Sequence, residues 1–175
     1  MLTSPKTNHR TDKYKDGLIF VREIVDGIKE FVDDDFILSY RMGACFDWGK
    51  DVQTAQKLEK IGFDLIDVSF GIAESYPSGI PSGYEYSEIT FAASQIIKAV
   101  NIPVIAVWEI TTLNRGNYLI MNNQADLVAY ARSFLADNKF FEKSKENMNY
   151  SPCHGCVTCN WYIHPSKCPS RIKNK

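Results

Sequence analysis

Hydrophobic positions along this chain change period several times, and each change predicts an element. Residues 18–32 (LIFVREIVDGIKEFV) place Ile19, Ile24, Ile28 and Phe31 on roughly one face with charges between them, which predicts an amphipathic helix. Asp33, Asp34 and Asp35 end it, and residues 36–40 read as a short strand that stops at Arg41. After a loop over 43–50, Asp51 is expected to cap a helix running to Ile61, with Gly62 at its C′ position. Residues 63–69 form the next apolar run, followed by a long loop over 70–86 rich in Gly, Pro, Ser and Tyr. A helix from Ser87 carries its buried stripe on Ile89, Ala93, Ile96, Ile97 and Val100. Residues 102–107 (IPVIAV) are almost wholly apolar and predict a strand buried on both faces. A weaker helix over 114–122, a strand over 125–129 and a helix over 130–135 complete the series.

From residue 36 onward the order is therefore strand then helix, four times over. That alternation implies right-handed crossovers and a parallel sheet. Four βα units fit either a small open α/β sheet or half of an eightfold barrel, and periodicity alone does not choose between them.

Composition narrows the class. The chain has 175 residues, 45% of them hydrophobic, and a net charge of −1. This is enough apolar material for a real core, and the balance of charge gives no reason to expect nucleic acid. No apolar run reaches the length of a membrane span, and the first residues carry no apolar signal core, so a cytoplasmic protein without a membrane partner is expected. Ten Phe and nine Tyr argue against disorder.

The tail carries the most chemistry. Four of the five cysteines, Cys153, Cys156, Cys159 and Cys168, follow a C-x2-C-x2-C-x8-C-P spacing. Cysteines three apart in a tight loop rarely reach disulfide geometry, but they readily converge on a metal. His154 and His164 are neighbouring substitutes for a ligand. The bland alternative is a set of reduced surface thiols. The chain accordingly divides into residues 1–150 and a Cys-rich metal-binding tail, 151–175.

Particular stretches then resemble a known family. Residues 4–14 (SPKTNHRTDKY) are similar to the loop after the fourth strand of Old Yellow Enzyme-type flavin oxidoreductases, and residues 20–29 (FVREIVDGIK) to the helix that follows. Tyr40 and Arg41 resemble the end of their fifth strand, 62–69 (GFDLIDVS) the sixth, 102–107 the seventh, and 125–137 (ADLVAYARSFLAD) the eighth with its helix. The cysteine tail resembles the iron–sulfur segment of the NADH oxidase and 2,4-dienoyl-CoA reductase branch. The resemblance implies an α/β fold of four βα units, the back half of a TIM (β/α)8 barrel. Whole barrels take about 250 residues. The resemblance thus implies that the front half, with most flavin-ring contacts and the groups that bind and protonate substrate, is not represented here.

By that resemblance, Arg41 approaches the pyrimidine edge of FMN and Arg132 grips its phosphate. As a residue alone, Arg41 is equally readable as an exposed arginine at a strand end. Two departures stand out. Where the family has Gly-Gly after the seventh strand, this chain has Trp108 and Glu109, and Ala131 replaces a glycine beside Arg132. A carboxylate about 5 Å from a phosphate charge opposes it by about 3 kcal/mol at an effective dielectric near 20, roughly two decades of affinity. High-affinity FMN binding by this chain alone is therefore not expected. Ser69, Cys45, His9, Arg115 and the tyrosines of the 70–86 loop are minor candidates, each also explained as an ordinary turn, thiol or surface residue.

For the metal, the tail resembles ferredoxin-like loops, so a [4Fe–4S] cluster is favoured and zinc is the alternative. The expected function is part of an FMN-dependent NAD(P)H oxidoreductase acting on a small enone-type substrate, inactive alone. It would act as a homo-oligomer or with a chain supplying the front half. The alternative is a non-catalytic remnant or a zinc-stabilised interaction scaffold.

Overall fold

The computed structural model describes residues 4–173; the first three residues of the predicted N-terminal loop and the last two of the tail lie outside the described residues. Four strands, β1 (Ser39–Ala44), β2 (Leu65–Phe70), β3 (Val104–Ala106) and β4 (Leu127–Val128), lie side by side in sequence order. Every pairing is parallel, with Arg41 opposite Asp67 and Ile105 opposite Leu127. Helix α1 (Gly17–Lys29) precedes β1; α2 (Trp48–Ile61), α3 (Glu88–Ile96) and α4 (Leu113–Met121) follow β1, β2 and β3, and the helix after β4 completes the four predicted βα units.

Side-chain alternation along the strands sorts the two faces of the sheet. Met42, Ala44, Ile66, Val68, Val104 and Ala106 point to one side and are buried together with Leu58 and Ile96. On the other side Ser39, Arg41 and Gly43 are exposed, Leu65 and Asp67 are half-buried, and Leu127 is 47% exposed. Ile105 is also only half-buried, so β3 is not enclosed on both faces as its sequence predicts. The helices cover one face, and the face that would line a barrel is open among the described residues.

Several boundaries move for identifiable reasons. β1 begins at Ser39 rather than residue 36, because the Phe36 amide closes a turn on the Asp33 carbonyl at 3.2 Å. Phe36 and Ile37 are left exposed. α2 starts at Trp48, capped by Asp47, whose carboxylate accepts from the Lys50 amide. Asp51, expected as the cap, is instead buried and accepts from the Cys45 amide at 2.9 Å. In α1 the inward positions are Val21, Val25 and Ile28, while Ile24 faces outward at 46% exposure; the helix ends at Lys29 rather than residue 32, which leaves Phe31 beyond it and 86% exposed. At the ends of β1 and β2, Gly43 and Gly71 allow a close backbone approach, since a Cβ on Gly43 would sit 2.6 Å from the Gly71 Cα.

After β4 come α5 (Arg132–Ala136) and α6 (Phe140–Glu146), then the tail with α7 (Pro169–Lys173), which packs on α5. Asp137, buried between α5 and α6, accepts from the Lys143 ammonium and the Tyr150 hydroxyl, both at 2.6 Å, and from the Lys139 amide at 2.9 Å. Burial pushes this carboxyl up, but the bonds from Lys143, Tyr150 and Lys139 outweigh it and hold it at about 2. A carboxyl depressed in the folded state stabilises above its unfolded value, and that contribution fades as pH falls through the folded value. Acidification from about pH 4 to about pH 2 is thus expected to loosen the α5–α6 clasp. Asp137→Asn should lower stability at neutral pH by about 2 kcal/mol and flatten this acid dependence, read from denaturant melts at stepped pH. An unchanged acid profile in the variant would mean that other carboxylates control it.

Candidate functional site

Loops at the C-terminal ends of the strands carry the chemistry, as expected of a parallel barrel-type sheet. There a cavity of about 750 Å³ is lined by Arg41, Trp108, Glu109, Ala131 and Arg132 on the sheet side, and by Cys153, Cys156 and Cys159 on the tail side. All five residues singled out for cofactor contact, and three of the four tail cysteines, thus meet at one place. Cys168 is not among the lining residues.

Arg41 projects from β1 onto the open face. Its guanidinium donates to Asp67 at 2.5 Å and to the Ser69 hydroxyl at 2.6 Å. The strand register aligns Arg41 with Asp67, and period-two alternation brings Ser69 to the same face. Arg41 is therefore a paired cation within β1, rather than a free arginine at a strand end. Asp67 was not singled out from the sequence, although a carboxylate inside the apolar run LIDVS is a legible signal. Its second oxygen, Oδ1, is buried without a partner among the described residues.

The segment after β3 takes an unusual path. Trp108 and Glu109 both have left-handed backbone, with φ of 86° and 57°. Non-glycine residues there are strained by about 1 kcal/mol or more each. The path is enforced from both flanks. The buried Thr90 hydroxyl reaches the Val107 and Trp108 carbonyls at 3.3 and 3.5 Å. Downstream, Ser133 and Tyr130 donate to the carbonyls of Thr111 and Thr112 at 3.3 and 3.2 Å. The sequence reading had the identities of Trp108 and Glu109 but not this backbone. Trp108 is 46% exposed and lies in tilted contact with the Phe70 ring, at 6.4 Å between centroids.

Arg132 opens α5, and its guanidinium lies 3.7 Å from the Glu109 carboxylate. Ala131 precedes it without a side-chain cap. Arg115, a weaker candidate, donates instead to the Glu85 carbonyl at 2.6 Å and lies over the Tyr86 ring, bracing the 70–86 loop. Cys45 is apart from the tail; burial first, then the carboxylates of Asp51 and Glu74, push its thiol up to about 11, against any role as a nucleophile.

In the tail Cys153, Cys159 and Cys168 are half-buried and Cys156 is exposed, and all are free. Among the described residues no three His, Cys, Asp or Glu side chains converge in a metal-holding arrangement, so the four cysteines are not gathered as the one ligand set their spacing predicts. A physical reason is at hand: it is a bound metal that supplies the free energy to draw such ligands together. Two 3₁₀ turns, Asn160–Tyr162 and Pro165–Lys167, separate Cys159 from Cys168, and the backbone amide of His154 is tied to the Ser170 hydroxyl at 2.9 Å.

Parallel strands in sequence order, each followed by a helix, with charged and thiol groups gathered at their C-terminal ends, make four βα units of a (β/α)8-type barrel. The chain belongs to the NADH:flavin oxidoreductase / NADH oxidase family, which it matches over residues 2–151. It is 36% identical over 170 residues to an NADH oxidase of Thermoanaerobacter brockii, covering 90% of this chain and 26% of that protein. With an NADPH dehydrogenase of Bacillus velezensis it shares 30% identity over 154 residues, covering 83% of this chain and 44% of the relative. The structure of morphinone reductase in complex with tetrahydroNAD superimposes with a TM-score of 0.62 at 19% identity, over 86% of this chain and 41% of that one, which shows the shared fold. The chain spans less than half the length of these relatives. No helix among the described residues is long and apolar enough to cross a membrane.

The strained loop yields a test in which the backbone and charge effects separate. At Glu109, alanine loses the ion pair and keeps the strain, whereas glycine loses the same pair and relieves it. The exposed pair contributes less than about 1 kcal/mol and the strain about the same. Glu109→Gly is therefore expected to be more stable than Glu109→Ala by about 1 kcal/mol in chemical denaturation. Equal midpoints for the two variants would mean that the loop relaxes out of the left-handed region.

Proposed function

We propose that this chain supplies the back half of the barrel of an FMN-dependent NAD(P)H oxidoreductase that reduces the activated C=C bond of a small enone-type substrate. One observation carries the reading: Arg41, Arg132 and three tail cysteines line a single cavity at the C-terminal ends of the strands. Two guanidiniums and apolar walls from Val107, Ile110 and Ile163 form a donor set suited to a planar ligand with an anionic end. Arg41 would hold the ring edge of FMN and Arg132 its phosphate; when bound, the flavin supplies hydride to the substrate. Arg41 contributes fixed positive charge on the open face, held in position by Asp67 and Ser69. Residues of the tail, Val157, Tyr162 and Ile163 among them, form one side of the cavity.

Cys153, Cys156, Cys159 and Cys168 are the proposed ligands of a [4Fe–4S] cluster, with zinc as the alternative. The open face, with Leu127 exposed and Leu65 and Ile105 half-buried, supports pairing with a second copy or with a chain carrying the complementary strands. Turnover by this chain alone is not expected. A second reading, a scaffold without turnover, draws support from the pairing of both arginines with the chain's own carboxylates.

Anaerobic purification with metal analysis, a visible spectrum and sedimentation tests these readings together. The expected protein is brown, contains about four iron atoms per chain and sediments as a dimer or larger. A colourless protein holding one zinc per chain would overturn the redox role of the tail. A monomer at high concentration would overturn the self-pairing.

A further inference from the structure

We propose that a second cavity, set between α5 and the tail, is a binding site for a nucleoside phosphate. Its volume is about 630 Å³, and it shares no lining residue with the cavity at the strand ends. Its walls combine two aromatic side chains, Phe134 and Trp161, with the cations of Lys139, Lys143 and Arg171 and one carboxylate, Asp137. These charges do not cancel. Asp137 is buried and already engaged by Lys143 and Tyr150, both at 2.6 Å. Among the described residues neither Lys139 nor Arg171 has an ion-pair partner. Two cations are thus left uncompensated at one cavity, and the dianion of a phosphate monoester balances them.

The rings answer to the other half of the ligand. Phe134 is held edge-to-face by Phe140, at 5.2 Å between centroids, yet stays 44% exposed. The Arg171 guanidinium lies 4.8 Å from the centroid of the Trp161 ring, so a cation and an indole come to the cavity as one stacked unit. Neither side chain donates a hydrogen bond to another of the described residues, which leaves the indole N–H and the guanidinium fork for a ligand. Nucleobases stack on such surfaces whatever their hydrogen-bonding pattern. A small inorganic anion uses the cations and leaves the rings idle, and an uncharged ring leaves the cations uncompensated. A ligand with both parts uses the whole wall, and the volume suits a small molecule of that kind. Seated there it joins α5, which carries Phe134, to α7, which carries Arg171.

This site does not depend on the flavin reading, and its test keeps the two apart. Adenosine monophosphate is titrated into the full chain by calorimetry, beside adenosine and ribose 5-phosphate as its two halves. The monophosphate is expected to bind about tenfold or more tightly than either half. Lys139→Gln and Arg171→Gln should each weaken it about tenfold, and Trp161→Leu by about the same factor, with circular dichroism confirming that each variant is folded. Arg132 lines only the other cavity, so Arg132→Gln should leave the affinity unchanged. The absence of adenosine monophosphate binding to the native chain would overturn the proposal. So would either half binding as tightly as the whole, full affinity in both Lys139→Gln and Arg171→Gln, or a loss of affinity in Arg132→Gln.

Discussion

A parallel sheet has two faces, and the helices of this chain cover only one of them. The covered face takes Met42, Ala44, Ile66, Val68, Val104 and Ala106 out of water and holds the four strands in register. Each fully buried aliphatic side chain there contributes about 1.5–3 kcal/mol. The open face receives the alternate residues, and its polarity follows from that position. Ser39, Arg41, Asp67 and Ser69 are tolerable on β1 and β2 because they bond to one another or to water. In the half-barrel geometry the same strands deliver their C-terminal ends, and the loops after them, to one rim.

At that rim two guanidiniums are balanced by two carboxylates, but the pairs differ in kind. Arg41 and Asp67 are register neighbours, short in distance and reinforced by Ser69, and Asp67 is largely enclosed. Arg132, at the start of α5, and Glu109, in the loop after β3, stand farther apart, and here it is the carboxylate that is exposed, whereas in the first pair it is the guanidinium. Enclosed short pairs resist screening, whereas open ones yield to salt and to competing ions. The cavity therefore has one cation held by short bonds within the sheet and one in a longer, looser pair.

Much of the architecture was legible in the sequence, because strand and helix periods alternate cleanly from residue 36 onward and a continuous apolar run such as 102–107 is hard to read otherwise. The face of α1 was not. Ile24 and Val25 are adjacent and both apolar, and only packing onto the sheet selects Val25. Phe20 lies edge-on to Tyr14, while Ile24 and Phe31 are left exposed, so an inward face cannot be read from hydrophobicity alone. Cap choice was misread for a similar reason: Asp47 and Asp51 both suit a helix start, and burial of Asp51 against the Cys45 amide decides between them. At the site, Arg41, Arg132, Trp108 and Glu109 were recognisable by resemblance. Their pairings depend on strand register and on contacts between residues far apart in sequence, which no local pattern encodes. The cysteine spacing was legible as ligand spacing, but spacing fixes only what the loop can reach once a metal draws it in.

The loop over 107–112 shows how chemistry can change on this scaffold without a change of fold. Its course is set by hydroxyls outside it, Thr90 on α3, Ser133 on α5 and Tyr130 after β4, all acting on its carbonyls. Carbonyl anchoring is indifferent to side-chain identity, so an indole and a carboxylate can ride on backbone dihedrals that suit glycine. The resulting strain of about 1 kcal/mol per residue is small beside the core that supports it. A glycine pair on the same course would present bare amides to the cavity. Trp108 and Glu109 instead present an aromatic edge and a negative charge to the cavity, and that charge lies 3.7 Å from the Arg132 guanidinium on the same rim.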